Sequence, residues 1–323
     1  MKKRVQYIMV IIIVLILCSC NKSENKESNN IKQNKVNKVD QVLDEIKRII
    51  GNRDGYIRAY KWDNDLYYDV ESRQLIEGNN SITFRAKDNV VYYLSKTVSD
   101  AYLKYIAGEE LTEEEEYELE SPTDDNEGEK ITVYTGQGSI DENHITIIDG
   151  KVFFAEKGQD KLYIKAMDKD GKNVNDLCTI SSNISFLYYI NEQYICYLNN
   201  RNVYAYDITN SEEIKLNQVE NVDAFYLCKY GIVYSCDEEN DISSKVYANN
   251  NLILESEEGK YYDIMNFMRD DEHKNSKVKL PVSIYKDKAK KDDGSSNYED
   301  KMIYLDRVFD NFDIDKDLIN FDN

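Results

Sequence analysis

The 323-residue sequence predicts an all-β fold, a β-propeller-like array of units near 40 residues, preceded by a signal peptide, a flexible tether and one amphipathic helix. Three observations predict it. Aromatic-rich segments with strand periodicity recur from Gly55 onward; each is followed, after a polar turn, by a second segment built on an aliphatic or Ala residue and then Tyr; and only two prolines and sparse helix signals interrupt the series. The tyrosines opening the second segments are Tyr67, Tyr102, Tyr163, Tyr204 and Tyr247, at intervals of 35, 61, 41 and 43. Units of this size, each too small to bury its own apolar face, do so by packing sheet on sheet. Another large antiparallel sheet or a sandwich is the alternative that the same pattern allows.

The chain opens with Lys2, Lys3 and Arg4, followed by an apolar run of 11 residues from Tyr7 to Leu17. That length suits the core of a secretory signal and is short for a membrane span. The run ends in Leu17, Cys18, Ser19, Cys20, which resembles the bacterial lipobox: an aliphatic residue at −3, a small one at −1, then the modified cysteine. Cys18 fits poorly, because Leu17 before it is too large for a pocket that takes a small side chain. The resemblance implies cleavage of residues 1–19 and a diacylglyceryl group on Cys20, anchoring the protein at the outer face of a bacterial cytoplasmic membrane. Two acyl chains meet the condition for stable anchoring, at about 0.8 kcal/mol per buried methylene. A plain secretory signal with an incidental cysteine, or an uncleaved helix, are the alternatives.

Residues 20–35 read as the lipidated cysteine and a tether, since Asn, Lys, Ser, Glu and Gln cannot bury enough surface to offset ordering. From Val36 the pattern becomes helical. Val36, Val39, Val42, Leu43, Ile46, Ile49 and Ile50 share one side of a helix over 36–51 that ends at Gly51. Its polar face mixes acidic and basic residues, which favours packing on the domain over lying on a membrane.

Residues 52–323 form the array. Its expected strand pairs are GYIRAYK with DLYYDVES, NVVYYLS with DAYLKYI, KVFFAEK with KLYIKAMD, YICYLNN with NVYAYDIT, and GIVYSCD with KVYANNN; KVKLPVSIYKD and KMIYLDRVF suggest a sixth unit. Between Ile145 and Asp237 these repeats resemble those of bacterial lipoproteins carrying a domain of unknown function related to the YWTD propellers of low-density-lipoprotein receptors. The resemblance implies a fold and no activity. The tyrosines are expected to pack between sheets with their hydroxyls at the wet end.

The formal charge is −20, and residues 109–129 hold 12 Asp or Glu without Lys or Arg. This acidic insertion explains the long 61-residue interval and reads as a solvated loop or a frayed helix through Glu113 to Glu120, with a cation- or basic-partner arm as the livelier reading. So acidic a chain is repelled by phosphate backbones, which excludes nucleic acid as a partner.

No catalytic, cofactor-binding or metal-ligating residue is singled out. His144 and His273 are the only histidines, and neither a nucleophile elbow nor a phosphate loop occurs. Thr135 to Ser139 (TGQGS) comes nearest to a phosphate loop and lacks its Lys. Asp168, Asp170 and Gly171, and Asp313, Asp315 and Asp317, imitate calcium loops without completing one, and Asp-Gly between strands is above all a turn. Cys178, Cys196, Cys228 and Cys236 permit disulfides in an exported protein, yet read first as free thiols in the core; a tight turn at Tyr230 and Gly231 would pair Cys228 with Val233.

The preferred function is a non-catalytic, membrane-anchored platform for a protein, peptide or envelope polymer. Its competitor is a cell-envelope glycan hydrolase or lyase using paired carboxylates. A solute-binding protein would need alternating helices and parallel strands, which the aromatic hairpins contradict.

Overall fold

The computed structural model describes residues 38–51, 74–107, 109–120, 128–237, 244–255, 261–264, 268–269, 278–285 and 298–320. The signal at 1–19, Cys20, the tether, the strand pair around Tyr67, and His273 lie outside the described residues. The chain divides into two units, Met1–Asp44 and Glu45–Asn323.

Where a helix is expected over 36–51, a helix, α1, covers 38–51. Val42, Leu43, Ile46 and Ile50 of its apolar stripe are buried. Arg48 reaches back one turn to Glu45 at 2.5 Å on the exposed side.

Among the described residues, the second unit holds five antiparallel sheets that follow one another along the chain. The first contains β1 (Gln74–Glu77), β2 (Asn80–Lys87), β3 (Val90–Thr97) and β4 (Glu129–Thr135). The second contains β5 (Ile140–Ile148), β6 (Lys151–Lys157), β7 (Lys161–Asp168) and β8 (Asn175–Ser181). The third is β9 (Ile184–Tyr189), β10 (Tyr194–Asn199), β11 (Asn202–Asp207) and β12 (Glu212–Lys215). The fourth is β13 (Val222–Cys228), β14 (Gly231–Asp237), β15 (Ser244–Ala248) and β16 (Asn251–Glu255). The fifth joins β17 (Tyr261–Ile264), β18 (Met268–Arg269), β19 (Val278–Tyr285), β20 (Tyr298–Tyr304) and β21 (Ile319–Asn320).

This is the propeller-like array that the repeats predict. The expected segment pairs are the second and third strands of their sheets: β6 with β7, β10 with β11, β14 with β15 and, in the fifth sheet, β19 with β20. Two-residue turns close the hairpins at Asp149–Gly150, Asn200–Arg201 and Asn249–Asn250, with φ of 49° and 78°, 46° and 58°, and 48° and 65°. Positive φ at both positions matches the twist of the flanking strands, which is why Asp, Asn and Gly occupy all of them but Arg201.

Consecutive sheets pack in order: β2 meets β5, β5 meets β9, β10 and β11 meet β13, and β14 and β15 meet β17. Phe84, Val91, Ile145, Val152 and Phe154 fill the space between the first two sheets. Val233, Val246, Leu280 and Ile303 do so between the last two. Tyrosine hydroxyls sew the seams. Tyr189 of β9 donates to the His144 carbonyl of β5 at 2.9 Å, and its neighbour Tyr188 donates to the Phe225 carbonyl of β13 at 3.0 Å. Both rings are buried, so these two hydroxyls, which do not belong to the repeat tyrosines, sit inside the array. A carbonyl on the adjacent sheet satisfies each as water would.

Two expectations are corrected, and the helix expected through Glu113 to Glu120 is found. DAYLKYI, read as a strand with Tyr102, is the helix α2 (Asp100–Ala107). Ser99 caps it, its hydroxyl accepting from the Tyr102 amide at 3.2 Å, with Asp100 in the first turn and Lys104 in the last. The partner of β3 is instead β2, in register from Asn80 with Thr97 to Lys87 with Val90. The acidic insertion enters between β3 and β4 and carries a second helix, α3 (Glu113–Glu120), tied to α2 by the Lys104–Glu115 ion pair. Lastly, Cys228 pairs with Gly231 across a turn at Lys229–Tyr230, which leaves Val233 opposite Tyr226 and Cys236 opposite Val222.

Candidate functional site

The third strands of the second, third and fourth sheets carry the repeat tyrosines Tyr163, Tyr204 and Tyr247, on β7, β11 and β15. In the third sheet Tyr197 stands opposite Tyr204, with ring centroids 6.1 Å apart, and in the fourth Tyr234 stands opposite Tyr247 at 5.2 Å with an interplanar angle of 14°. In the second sheet the residue opposite Tyr163 is Glu156. A carboxylate thus replaces a ring. Tyr247 is 9 % exposed, whereas Tyr163 is 43 % exposed and, among the described residues, has no aromatic ring beside it. A groove of ≈ 690 Å³ lies beside Glu156 and Tyr163, between the first and second sheets.

Glu156 is buried, and its own neighbours answer its charge. The TGQGS segment links β4 to β5 and folds over it: the amides of Gln137 and Gly138 donate to Oε1 at 2.8 and 2.7 Å, and the Tyr134 hydroxyl donates to Oε2 at 2.9 Å. Lys165 lies 3.7 Å from Oε2 and also pairs with Asp176. Burial pushes the Glu156 carboxyl up, but these donors outweigh it and hold the group below its ordinary value. The loop is pinned on both sides, by the Gly136 amide on the Asn89 carbonyl and the Lys157 amide on the Ser139 carbonyl, each at 2.7 Å. TGQGS is therefore an anion-binding turn whose anion is the chain's own side chain.

The glycines of this groove have a special role. Gly136, Gly138 and Gly158 do not adopt the left-handed conformation that turns demand. Instead a Cβ on Gly138 would lie 2.1 Å from the Lys157 carbonyl oxygen, one on Gly136 would lie 3.0 Å from the Glu156 carboxylate, and one on Gly158 would lie 2.8 Å from the Tyr163 ring. Close approach of backbone to Glu156 and Tyr163 is what requires them.

Beside the clasp, β5 bulges between Ile140 and Ile145. Asp141 there lies 3.5 Å from His144 Nδ1 and 2.8 Å from Lys157 Nζ, and accepts from the Asn143 amide at 3.0 Å. The imidazole of His144 first, then Lys157, holds the Asp141 carboxyl well below the usual carboxylate range. On the other flank of the 157–161 turn a second groove of ≈ 510 Å³ is lined by Asp160, Lys161, Tyr197, Tyr206 and Glu213. Here the Tyr197 hydroxyl donates to Glu213, and burial together with that carboxylate raises the phenol well above its ordinary range.

Other residues singled out in the sequence are engaged locally. Asp168 accepts from Asn173 and Asp170 from Lys172, while Gly171 takes φ of 78° where a Cβ would strike the Val133 carbonyl; this is a turn. Asp313 caps the short helix α5 (Ile314–Asp317), accepting from the Asp315 amide, and Asp317 holds Arg307 at 3.0 Å. Among the described residues no three His, Cys, Asp or Glu side chains converge as a ligand set. Cys178, Cys196, Cys228 and Cys236 are free thiols, the last three buried. Sequence reasoning misses Glu156 because acidic residues abound and because its place opposite Tyr163 is set by ladder register, which the order of residues in KVFFAEK does not display.

No protein-family model matches the chain, and no curated protein matches it. Solved structures similar to it include a gluconolactonase from Xanthomonas campestris, with a TM-score of 0.35 and 9 % identity over 65 % of this chain and 67 % of the other. TolB from Acinetobacter baumannii has a TM-score of 0.35 and 10 % identity over 79 % of this chain and 53 % of its own. Hsv2 of Kluyveromyces lactis has 0.33 and 10 % over 65 % and 58 %.

Proposed function

We propose that this chain is a lipid-anchored extracytoplasmic lipoprotein whose propeller-like array is a non-catalytic binding platform, its ligand face formed by the two grooves that flank the 157–161 turn. Anchoring rests on Leu17, Ser19 and Cys20. The observation that carries the binding reading is the clasp on Glu156. A glycan hydrolase needs one carboxyl kept protonated as an acid. At Glu156 two amides, a phenol and an ammonium favour the charged form. What is left is an open groove with a bare ring and fixed donors and acceptors, which suits recognition.

Two measurements test the two halves. A fatty-acid alkyne fed to expressing cells labels the protein, and Cys20→Ser abolishes the label and frees the chain from membranes; a Cys20→Ser chain that stays bound overturns the anchor. Isolated cell envelopes stripped of protein should co-sediment with the protein. Substrate turnover in the envelope digest, lost on Glu156→Gln, overturns the non-catalytic half.

A further inference from the structure

We infer that the groove at Tyr163 binds one ring of an uncharged polysaccharide, an inference that rests on the platform reading above and names its ligand class. Gly158 lies against the Tyr163 ring, where a Cβ would come within 2.8 Å of Cε2, and the half-exposed ring lines the groove. The C–H face of a sugar ring covers such a surface as the missing tyrosine would have done. Facing it are acceptors and a donor side by side: Glu156 and Asp176 with Lys165 between them. Of about four lone-pair sites on a carboxylate, three on Glu156 are taken by Gln137, Gly138 and Tyr134. Neighbouring hydroxyls, each donor and acceptor at once, answer that mixture.

Charge selects among ligands. An anion would meet an amide clasp already filled by Glu156, and a cation would have to displace Lys165 from both carboxylates. A neutral polyol disturbs neither pair. Length follows from the second groove, which lies across the same turn: Lys157 and Gly158 line one side, Asp160 and Lys161 the other. A chain of sugars can therefore engage both grooves by crossing one hairpin.

The test is calorimetry on the full-length lipoprotein in detergent, titrated with hexamers of glucose, mannose, galactose and N-acetylglucosamine, and with polyglutamate and polylysine as charged probes. At least one neutral hexamer should bind, about tenfold more weakly after Tyr163→Ala and with little change after Tyr163→Phe. The corresponding dimer should bind more weakly than the hexamer. Asp176→Asn should weaken binding without shifting the urea midpoint by more than a surface pair does. Failure of all four hexamers, equal binding by Tyr163→Ala, or a charged polymer bound in their place overturns the inference. If protein-stripped envelopes still sediment with the protein in that event, the platform reading stands and only the ligand class falls; if they do not, both fall.

Discussion

Glu156 stands opposite Tyr163 in the β6–β7 ladder, at the register position that Tyr197 and Tyr234 hold opposite Tyr204 and Tyr247. Here a carboxylate stands where the other two sheets have a ring, and Gly136 and Gly158 let the backbone approach Glu156 and Tyr163 closely. The consequence for stability is specific. Glu156→Ala strands two amides and a phenol that the carboxylate now satisfies, at about 1–3 kcal/mol for each buried group left unpaired. Urea unfolding should show a large loss for Glu156→Ala and a smaller one for Glu156→Gln, whose carbonyl still accepts. Equal losses would mean that the clasp is incidental.

Acid sensitivity follows from the same groups. Both Glu156 and Asp141 are held below their ordinary values in the folded protein. A carboxyl with a depressed folded pKa contributes stability that is present above its unfolded value, about 4, and is lost as pH falls through that value towards the folded one. The urea midpoint should therefore drop between about pH 5 and pH 3, and the double variant Glu156→Gln, Asp141→Asn should flatten that decline. A double variant with an unchanged slope would assign the acid response to other carboxylates.

Much of the array was legible because the middle two strands of each sheet repeat their pattern. KLYIKAMD and NVYAYDIT alternate burial along the strand, KVFFAEK and YICYLN are buried almost throughout, and the turn after YICYLN takes positive φ at Asn200 and Arg201. The outer strands were missed, since EEIK of β12 and NDLCTIS of β8 pair mainly through backbone and carry weak alternation. DAYLKYI misled because tyrosines at close spacing were scored as strand while the Ser99 cap and the Asp100 to Lys104 polarity pointed to a helix. The groove was invisible for a different reason. It depends on which residue faces which across a ladder, and a single sequence does not show register.

Glycine substitutions separate the clasp from ordinary turns. Gly138→Ala forces a methyl to within 2.1 Å of a backbone carbonyl oxygen, an overlap that only backbone movement relieves. Overpacking of this kind costs about 1–3 kcal/mol. Gly158→Ala presses instead on the Tyr163 ring, a side chain that can swing away. Thermal unfolding should therefore rank Gly138→Ala well below Gly158→Ala, and a tyrosine fluorescence change should accompany the latter. Reversal of that order would show that Tyr163 is fixed by something other than its seat on Gly158.

The acidic insertion tests how self-sufficient the sheets are. Glu113, Glu114 and Glu116 of α3 are exposed, Tyr117 is 70 % exposed, and the tie to α2 is a pair whose lysine side chain is 42 % exposed. An exposed pair of this sort is screened by solvent and contributes little. Replacing residues 109–127 by a short Gly-Ser segment shortens the loop between β3 and β4, which slightly lowers its closure entropy, and leaves the Ser95–Glu129 register in place. The urea midpoint should stay within about 1 kcal/mol of the parent while the net negative charge falls by over half. A larger loss would mean that α3 holds the edge of the first sheet, and binding that disappears with it would move the ligand face from the 157–161 turn to the insertion.

Thiol chemistry probes the core from inside. Burial raises the Cys228 and Cys236 thiols to about 12 and that of Cys178 to about 12, and drives Cys196 higher still. Reaction needs the thiolate and access to it; burial disfavours the thiolate in all four, and Cys196, Cys228 and Cys236 lack access as well. An aromatic disulfide reagent should leave these three unmodified in the folded protein, react slowly with half-buried Cys178, and react with all four in denaturant at a rate that follows unfolding. Should Cys196 react in the folded state as fast as in denaturant, the third sheet would have to open locally, and the tyrosine seams from Tyr188 and Tyr189 would not be what holds its neighbours to it.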